Sequence, residues 1–274
     1  MKNLLSSNLL IILFCTIALY ACAEKRSFIL SSPNGSLTIN LKTPKGASGA
    51  QYNISFNGTE VVHDSDLGFE FSDNSISDKE VTIGKVKTKS INDSWKPVYG
   101  ERNEYPDIYN EALVSFDGND TYTLRIRAYD EGIAFRYEFI EEKKEIVIAS
   151  ENTEFNIGEN ASAWVSTRAQ SEISKVKISD INEAKERPML IQHSDDIYLA
   201  IGEAALVDYA RMKLINRSSG SGVLKSDLEG EVKHKDRFSS PWRFVMAANQ
   251  PGQLLENNYL LLNLNEPNKI KDTS

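Results

Sequence analysis

Carboxylates and flat aromatic rings are the residues with chemical promise in this 274-residue chain. They gather at Trp95-Lys96-Pro97-Val98-Tyr99-Gly100-Glu101, followed by Glu104, Asp107, Tyr109, Asn110 and Glu111. Sugars stack on aromatic faces and hydrogen-bond to carboxylates and amides. Trp95, Tyr99, Glu101 and Tyr109, with Trp242 downstream, are therefore candidate carbohydrate-binding residues. The alternative is a loop whose Trp95 and Tyr99 fill the end of a sandwich while its acids face water. Breaking a glycosidic bond needs two carboxyl groups about 5 to 9.5 Å apart, which spacing along strands does not establish. Glu203 stands apart, between the apolar stretch 197–201 and a second apolar run. Facing inward, it must be ion-paired, protonated or bound to a metal, and on chemistry alone a salt bridge is the commoner outcome.

Other chemistries find no support. His63, His193 and His234 are scattered, with no i, i+4 pair to hold zinc. Gly-x-Ser-x-Gly, the phosphate-binding glycine loop and the EF-hand loop are missing from the sequence. A mutarotase-like acid and base, His193 and Glu203, are near in sequence, but nothing puts them on one face. A net charge of −8 without a basic stripe excludes nucleic acid as a partner.

The N-terminus reads as an export address. An apolar run over residues 9–20 has the size of a signal-peptide core and falls short of the roughly 20 residues of a spanning helix. Leu19-Tyr20-Ala21-Cys22 resembles a bacterial lipobox, so residues 1–21 are expected to be removed and Cys22 to carry the lipid anchor. Cleavage near Ala21-Cys22-Ala23 without a lipid is the alternative. The expected location is the periplasm or outer membrane of a Gram-negative bacterium, with the domain held on a membrane through its lipid. The other cysteine, Cys15, lies in the signal, so the mature domain is held by its core without a disulfide.

The elements that must position these side chains are strands. Leu37, Ile39 and Leu41 alternate with Thr38 and Asn40 after the Pro33-Asn34-Gly35 turn. Tyr122, Leu124, Ile126 and Ala128 form one face of a strand. Beyond Asp130-Glu131-Gly132, the residues Ile133, Phe135, Tyr137 and Phe139 form the matching face of its hairpin partner, with Gly132 expected at positive φ. Further strands are expected at 145–149, 163–166, 189–192, 197–201, 243–247 and 259–264. The stretch 202–212 has helix-forming composition but is read as strand and loop. Many short strands at this spacing predict an all-β protein, a large antiparallel β-sandwich. Its boundaries are a tether at 22–27, one folded unit at 28–266 and a polar tail at 267–274.

Six pieces in order resemble the N-terminal domain of glycoside hydrolase family 97. They are the run from Trp95 to Glu101, Tyr109-Asn110-Glu111, the run from Arg127 to Tyr137, Glu151-Asn152-Thr153-Glu154-Phe155, the run from Glu203 to Tyr209, and Pro241-Trp242-Arg243. The resemblance implies a super-β-sandwich of galactose-mutarotase-like type. It also implies exported enzymes that cleave α-glucosides or α-galactosides with calcium, on carboxylates carried by a central (β/α)8 barrel. That barrel is expected to be absent here, and the catalytic residues with it. By the same resemblance Glu203 is the calcium ligand that the sandwich lends to a barrel supplied in cis or in trans, and an α-linked oligosaccharide is the substrate. Arg127, Arg136 and Arg243 are expected to pair with acids or brace loops. The expected function is thus the non-catalytic front domain of an α-glycosidase, inactive alone. A stand-alone, surface-anchored carbohydrate-binding lipoprotein is the alternative.

Overall fold

The computed structural model describes residues 24–47, 49–72, 80–140 and 145–267. The proposed anchor Cys22, the signal segment and the tail at 268–274 lie outside the described residues. Strands β1 to β5 are Ser27–Ser31, Leu37–Lys42, Ala50–Phe56, Thr59–Leu67 and Phe69–Phe71. Strands β6 to β10 are Thr82–Trp95, Tyr105–Asp117, Asn119–Tyr129, Gly132–Phe139 and Ile146–Glu151. Strands β11 to β15 are Glu154–Asn156, Ser162–Val165, Ser174–Lys177, Met189–Ser194 and Ile197–Ala204. Strands β16 to β20 are Met212–Asn216, Val223–Leu228, Val232–His234, Phe238–Ser239 and Trp242–Ala248, followed by helices α1 (Pro251–Glu256) and α2 (Tyr259–Asn263).

A ten-stranded sheet runs β13-β12-β14-β15-β20-β9-β8-β7-β6, with β19 paired to β9. A seven-stranded sheet runs β1-β2-β3-β4-β11-β17-β16, and β18-β10-β5 form a third, smaller sheet. The strand pairs are antiparallel throughout.

The inner faces close on one core, and the predicted alternations supply it. Leu37, Ile39 and Leu41 are buried from the seven-stranded sheet, and Leu124, Ile126, Ile133, Phe135, Tyr137 and Phe139 from the ten-stranded one. Tyr52 meets Phe135 edge-on at 5.0 Å between ring centres, while Phe69 meets Tyr137 at 4.5 Å and ties the small sheet to the large one. Such aromatic pairs contribute beyond their buried area.

The outer face of the ten-stranded sheet carries a second cluster. Trp242, Phe244, Met246 and Ala248 project from β20, Tyr109 and Tyr129 from β7 and β8, and Leu254, Leu260 and Leu264 cover them from the helical segment. The expected strand at 259–264 is this helix α2. A short, mostly apolar run such as Tyr259-Leu260-Leu261-Leu262 reads equally as buried strand or buried helix. What decides is upstream: Pro251 opens α1, and Gln253 accepts a hydrogen bond from the Gln250 N–H at 3.2 Å.

Gly132 is also used differently from expectation, since its φ is not positive. A Cβ there would lie 2.9 Å from the Val245 carbonyl oxygen and 3.0 Å from Leu260 Cδ1. The glycine lets β20 and α2 approach β9. The stretch 202–212 is strand and loop, as read from the sequence.

Candidate functional site

Sheet register decides which candidate residues can share a site. Glu203 pairs with Arg243, Arg243 with Phe135, Phe135 with Ile126 and Ile126 with Ala112. Tyr105, seven residues along β7 from Ala112, pairs with Trp95. Five strand spacings and seven residues of strand rise separate Glu203 from Trp95, on the order of 30 Å. They also use different faces: Glu203 points between the sheets, whereas Tyr109 and Trp242 belong to the outer cluster. The structure therefore does not bring the sequence-predicted residues into one site.

Each has its own setting. Trp95 is half-buried, its Nε1 donating to Asn263 Oδ1 at 2.8 Å and its ring 4.9 Å from Tyr105. Tyr109 is 5% exposed, against Tyr129 and with the Arg127 guanidinium over its ring at 4.5 Å. Trp242 is 1% exposed, and Arg127 and Arg136 lie over its ring at 4.8 and 4.7 Å. Neither Tyr109 nor Trp242 presents an open face to a sugar. Tyr99, 90% exposed, and Glu101 stand open on the β6–β7 loop. A cavity of about 270 Å³ elsewhere is lined by Asn34, Ser36, Asn57, Asp130, Asn249 and Asn257 among others, and among the described residues Asp130 is the carboxylate that lines it.

The most concentrated chemistry lies between the sheets around Arg243, which is fully buried. Its Nε and Nη2 donate to the two oxygens of Glu151 at 2.9 and 2.7 Å, and its Nη1 donates to Glu203 Oε2 at 2.5 Å. Glu151 also accepts hydrogen bonds from Thr153 Oγ1 at 2.8 Å and Tyr209 Oη at 3.2 Å. Glu203 is further held by Arg187 Nη2 at 2.6 Å and the Met212 N–H at 3.2 Å. Arg187 reaches on to Glu186, which Arg211 and Lys213 also approach, and these two meet Glu229. Four carboxylates face four cations in one continuous chain of charge.

Burying such charges costs several kcal/mol per ion, so they persist only when paired with good geometry. Burial alone works against the charge on Arg243, but Glu151 and then Glu203 outweigh it and hold its pKa above the ordinary arginine value. Burial and the Glu151 charge likewise push the Tyr209 hydroxyl well up, keeping it a neutral donor. The cluster sits beside a strained turn, where Ala205 and Asp208 adopt φ of 54° and 49°.

A second cluster lies on the outer face. Glu111 takes Arg125, Arg127 and Lys89 at 2.5, 2.9 and 3.2 Å. Burial would raise its pKa, but Arg127 and Arg125 hold it below the usual carboxylate value. Arg125 and Arg136 share Glu138 as well. The arginines expected to pair with acids, 127, 136 and 243, do so. Glu151, Glu186 and Arg187 were not singled out for a role, and Glu151 lay unremarked inside a motif.

Calcium fits this arrangement poorly. It takes six to eight oxygen ligands, whereas both Glu203 oxygens here face guanidinium groups. Among the described residues no group of three or more His, Cys, Asp or Glu could hold a metal ion. His193 lies toward the β14–β15 turn and Glu203 at the far end of β15, so they do not form an acid and base pair.

The family described as glycosyl-hydrolase 97 N-terminal matches residues 30–267. A glycoside hydrolase family 97 enzyme from Pseudoalteromonas sp. strain K8, solved with panose and with acarbose, superposes with a TM-score of 0.83 at 33% identity. The match covers 90% of this chain and 39% of that enzyme, so the chain spans well under half the length of this relative. A β-arabinopyranosidase shares the fold alone, with a TM-score of 0.71 at 16% identity over 81% of this chain and 40% of that one.

Proposed function

The chain belongs to the glycosyl-hydrolase 97 N-terminal family, and from this we propose that it is the non-catalytic front domain of an α-glycosidase, acting only beside a (β/α)8 barrel. One observation carries the reading. Each buried glutamate among the described residues, at positions 111, 151, 154 and 186, and the enclosed carboxylate of Glu203, is engaged by arginine or lysine. A glycosidase needs one carboxyl group to give a proton and a second to attack or to activate water. Carboxylates locked to guanidinium groups inside a sandwich suit neither task. They suit a rigid scaffold.

The substrate class we assign to the complete enzyme is an α-linked oligosaccharide, in line with the panose and acarbose bound by the Pseudoalteromonas enzyme. In this reading the sandwich shapes the mouth of the barrel. Glu203 serves its own fold through Arg187 and Arg243, and it would face a shared calcium ion only after Arg187 released it. Anchoring through Cys22 is a separate part of the proposal. Detergent phase partitioning of the expressed protein tests it, with Cys22→Ala expected to move the chain into the aqueous phase.

The rival is a free-standing carbohydrate-binding lipoprotein, for which open Tyr99 is the favourable feature. Calorimetric titration with maltooligosaccharides separates the two. No heat of binding is expected, and saturable binding by the purified chain contradicts the front-domain reading.

A further inference from the structure

Three hairpin turns meet at one end of the sandwich. Pro33-Asn34-Gly35 lies between β1 and β2, the two-residue loop Asn57-Gly58 joins β3 to β4, and Asp130-Glu131 joins β8 to β9. Asn57 and Gly58 take φ of 49° and 81°, the left-handed pair that a two-residue hairpin favours. The Asn34 N–H donates to Asp130 Oδ1 at 3.0 Å and ties the two large sheets together, while the Asn57 N–H donates to the Ser36 carbonyl at 2.8 Å. With the end of β20 and one side of α1, these turns frame the cavity of about 270 Å³.

Its wall combines a small apolar patch, from Phe56, Ala247 and Ala248, with the side chains of Asp130, Asn57, Gln253 and Asn257. Much of their hydrogen-bonding capacity is left over. The Asn34 N–H occupies one oxygen of Asp130, and the Gln250 N–H occupies Gln253 Oε1. Asp130 Oδ2, Gln253 Nε2 and the side-chain amides of Asn57 and Asn257 have no partner among the described residues. The amide N–H groups donate, and the amide and carboxylate oxygens accept. No lysine, arginine or histidine among the described residues lines the cavity, so it does not suit an anion. One carboxylate is too little charge for tight calcium binding, whose affinity follows the ligand charge count. What fits is an uncharged molecule that both donates and accepts hydrogen bonds and has an apolar side. A sugar ring has these properties. Pockets for drug-sized ligands span about 300–1,000 Å³, so this cavity has room for a single ring.

We propose that this end of the sandwich binds one neutral monosaccharide, held by Asp130, Asn57, Gln253 and Asn257 with its C–H face toward Phe56. The site stands independently of the front-domain reading. It has no room for the second ring of a maltooligosaccharide, so a free hexose binds where the longer chain does not.

Titration of the isotope-labelled chain with D-glucose and with D-galactose, followed by its amide NMR signals, tests the site. Saturable shifts with at least one of the two hexoses are expected at residues 34–36, 56–58, 130 and 253–257, with a Kd on the order of 1 mM for so few hydrogen bonds. Asp130→Asn keeps an oxygen for the Asn34 N–H but removes the charge, and should weaken binding about tenfold. Asn57→Gly keeps the left-handed turn but removes the amide, and should weaken binding about threefold. Spectra that otherwise overlay that of the parent show that both variants fold. Shifts that fail to saturate with either hexose, or saturable binding that both variants retain in full, overturn the site and leave the front-domain reading as it stands. Maltotriose moving the same amides to saturation overturns the one-ring inference and the front-domain reading together.

Discussion

Removing the Arg243 guanidinium tests whether the buried charge cluster is the frame of this domain. In Arg243→Met the methionine fills much of the arginine volume, so the loss is chiefly electrostatic. Glu203 keeps Arg187 and the Met212 N–H, but Glu151 is left with only Thr153 and Tyr209 as neutral donors. One uncompensated buried charge costs about 3–5 kcal/mol. For a domain of this size that is a fall of roughly 6–20 °C in melting temperature, at about 2–4 °C per kcal/mol. Glu203→Gln should cost less, about 1–3 kcal/mol, because Arg243 keeps Glu151 and Arg187 keeps Glu186. Urea unfolding followed by circular dichroism measures both, and adding Glu151→Gln to Arg243→Met should recover part of the loss. An Arg243→Met chain within 1 kcal/mol of the parent, or no coupling between Arg243 and Glu151, would refute the reasoning.

Three further outcomes follow from named contacts. Calcium chloride should shift the melting temperature by less than about 1 °C; a site held at 100 times its Kd would instead add about 2.7 kcal/mol, a rise of several degrees. The folded pKa of Glu111 lies below its unfolded value of about 4.3, so its contribution is fully present above that pH and is lost as pH falls through the folded value. Urea midpoints measured from pH 7 downward should therefore fall less steeply for Glu111→Gln than for the parent, and parallel curves would contradict this. Trp242→Ala should cost about 3–5 kcal/mol as a buried ring, whereas Tyr99→Ala should stay within about 0.5 kcal/mol; chemical denaturation of the two variants compares them directly.

Much of the fold was legible because the strands alternate. Tyr122, Leu124 and Ile126 announce their inner face through period two, and no distant residue is needed to read it. The run from Tyr259 to Leu264 reads as a strand although it is helical, because four consecutive apolar residues at 259–262 carry no period. Pro251 and Gln253, which open the helical segment, lie just outside the run. Gly132 was recognised as necessary but for the wrong reason, since the constraint comes from Val245 and Leu260, more than a hundred residues away.

The site was less legible than the fold. Glu203 could be flagged as an inward acid from its apolar flanks, but its partners depend on register. Arg243 reaches it through the β15–β20 pairing, and Arg187 across the start of β14. The aromatic cluster was visible as composition, yet whether a ring is open or covered depends on what crosses it. Arg127 and Arg136 cover Trp242, while Tyr99 remains bare.

Turnover by the purified 274-residue chain is the most direct measurement. With aryl α-glucosides and aryl α-galactosides as substrates and calcium present, the account predicts release of the aryl group at the rate of the protein-free blank. Sustained hydrolysis that tracks the chain through purification would mean that the sandwich holds its own catalytic acids, and the front-domain account would be wrong.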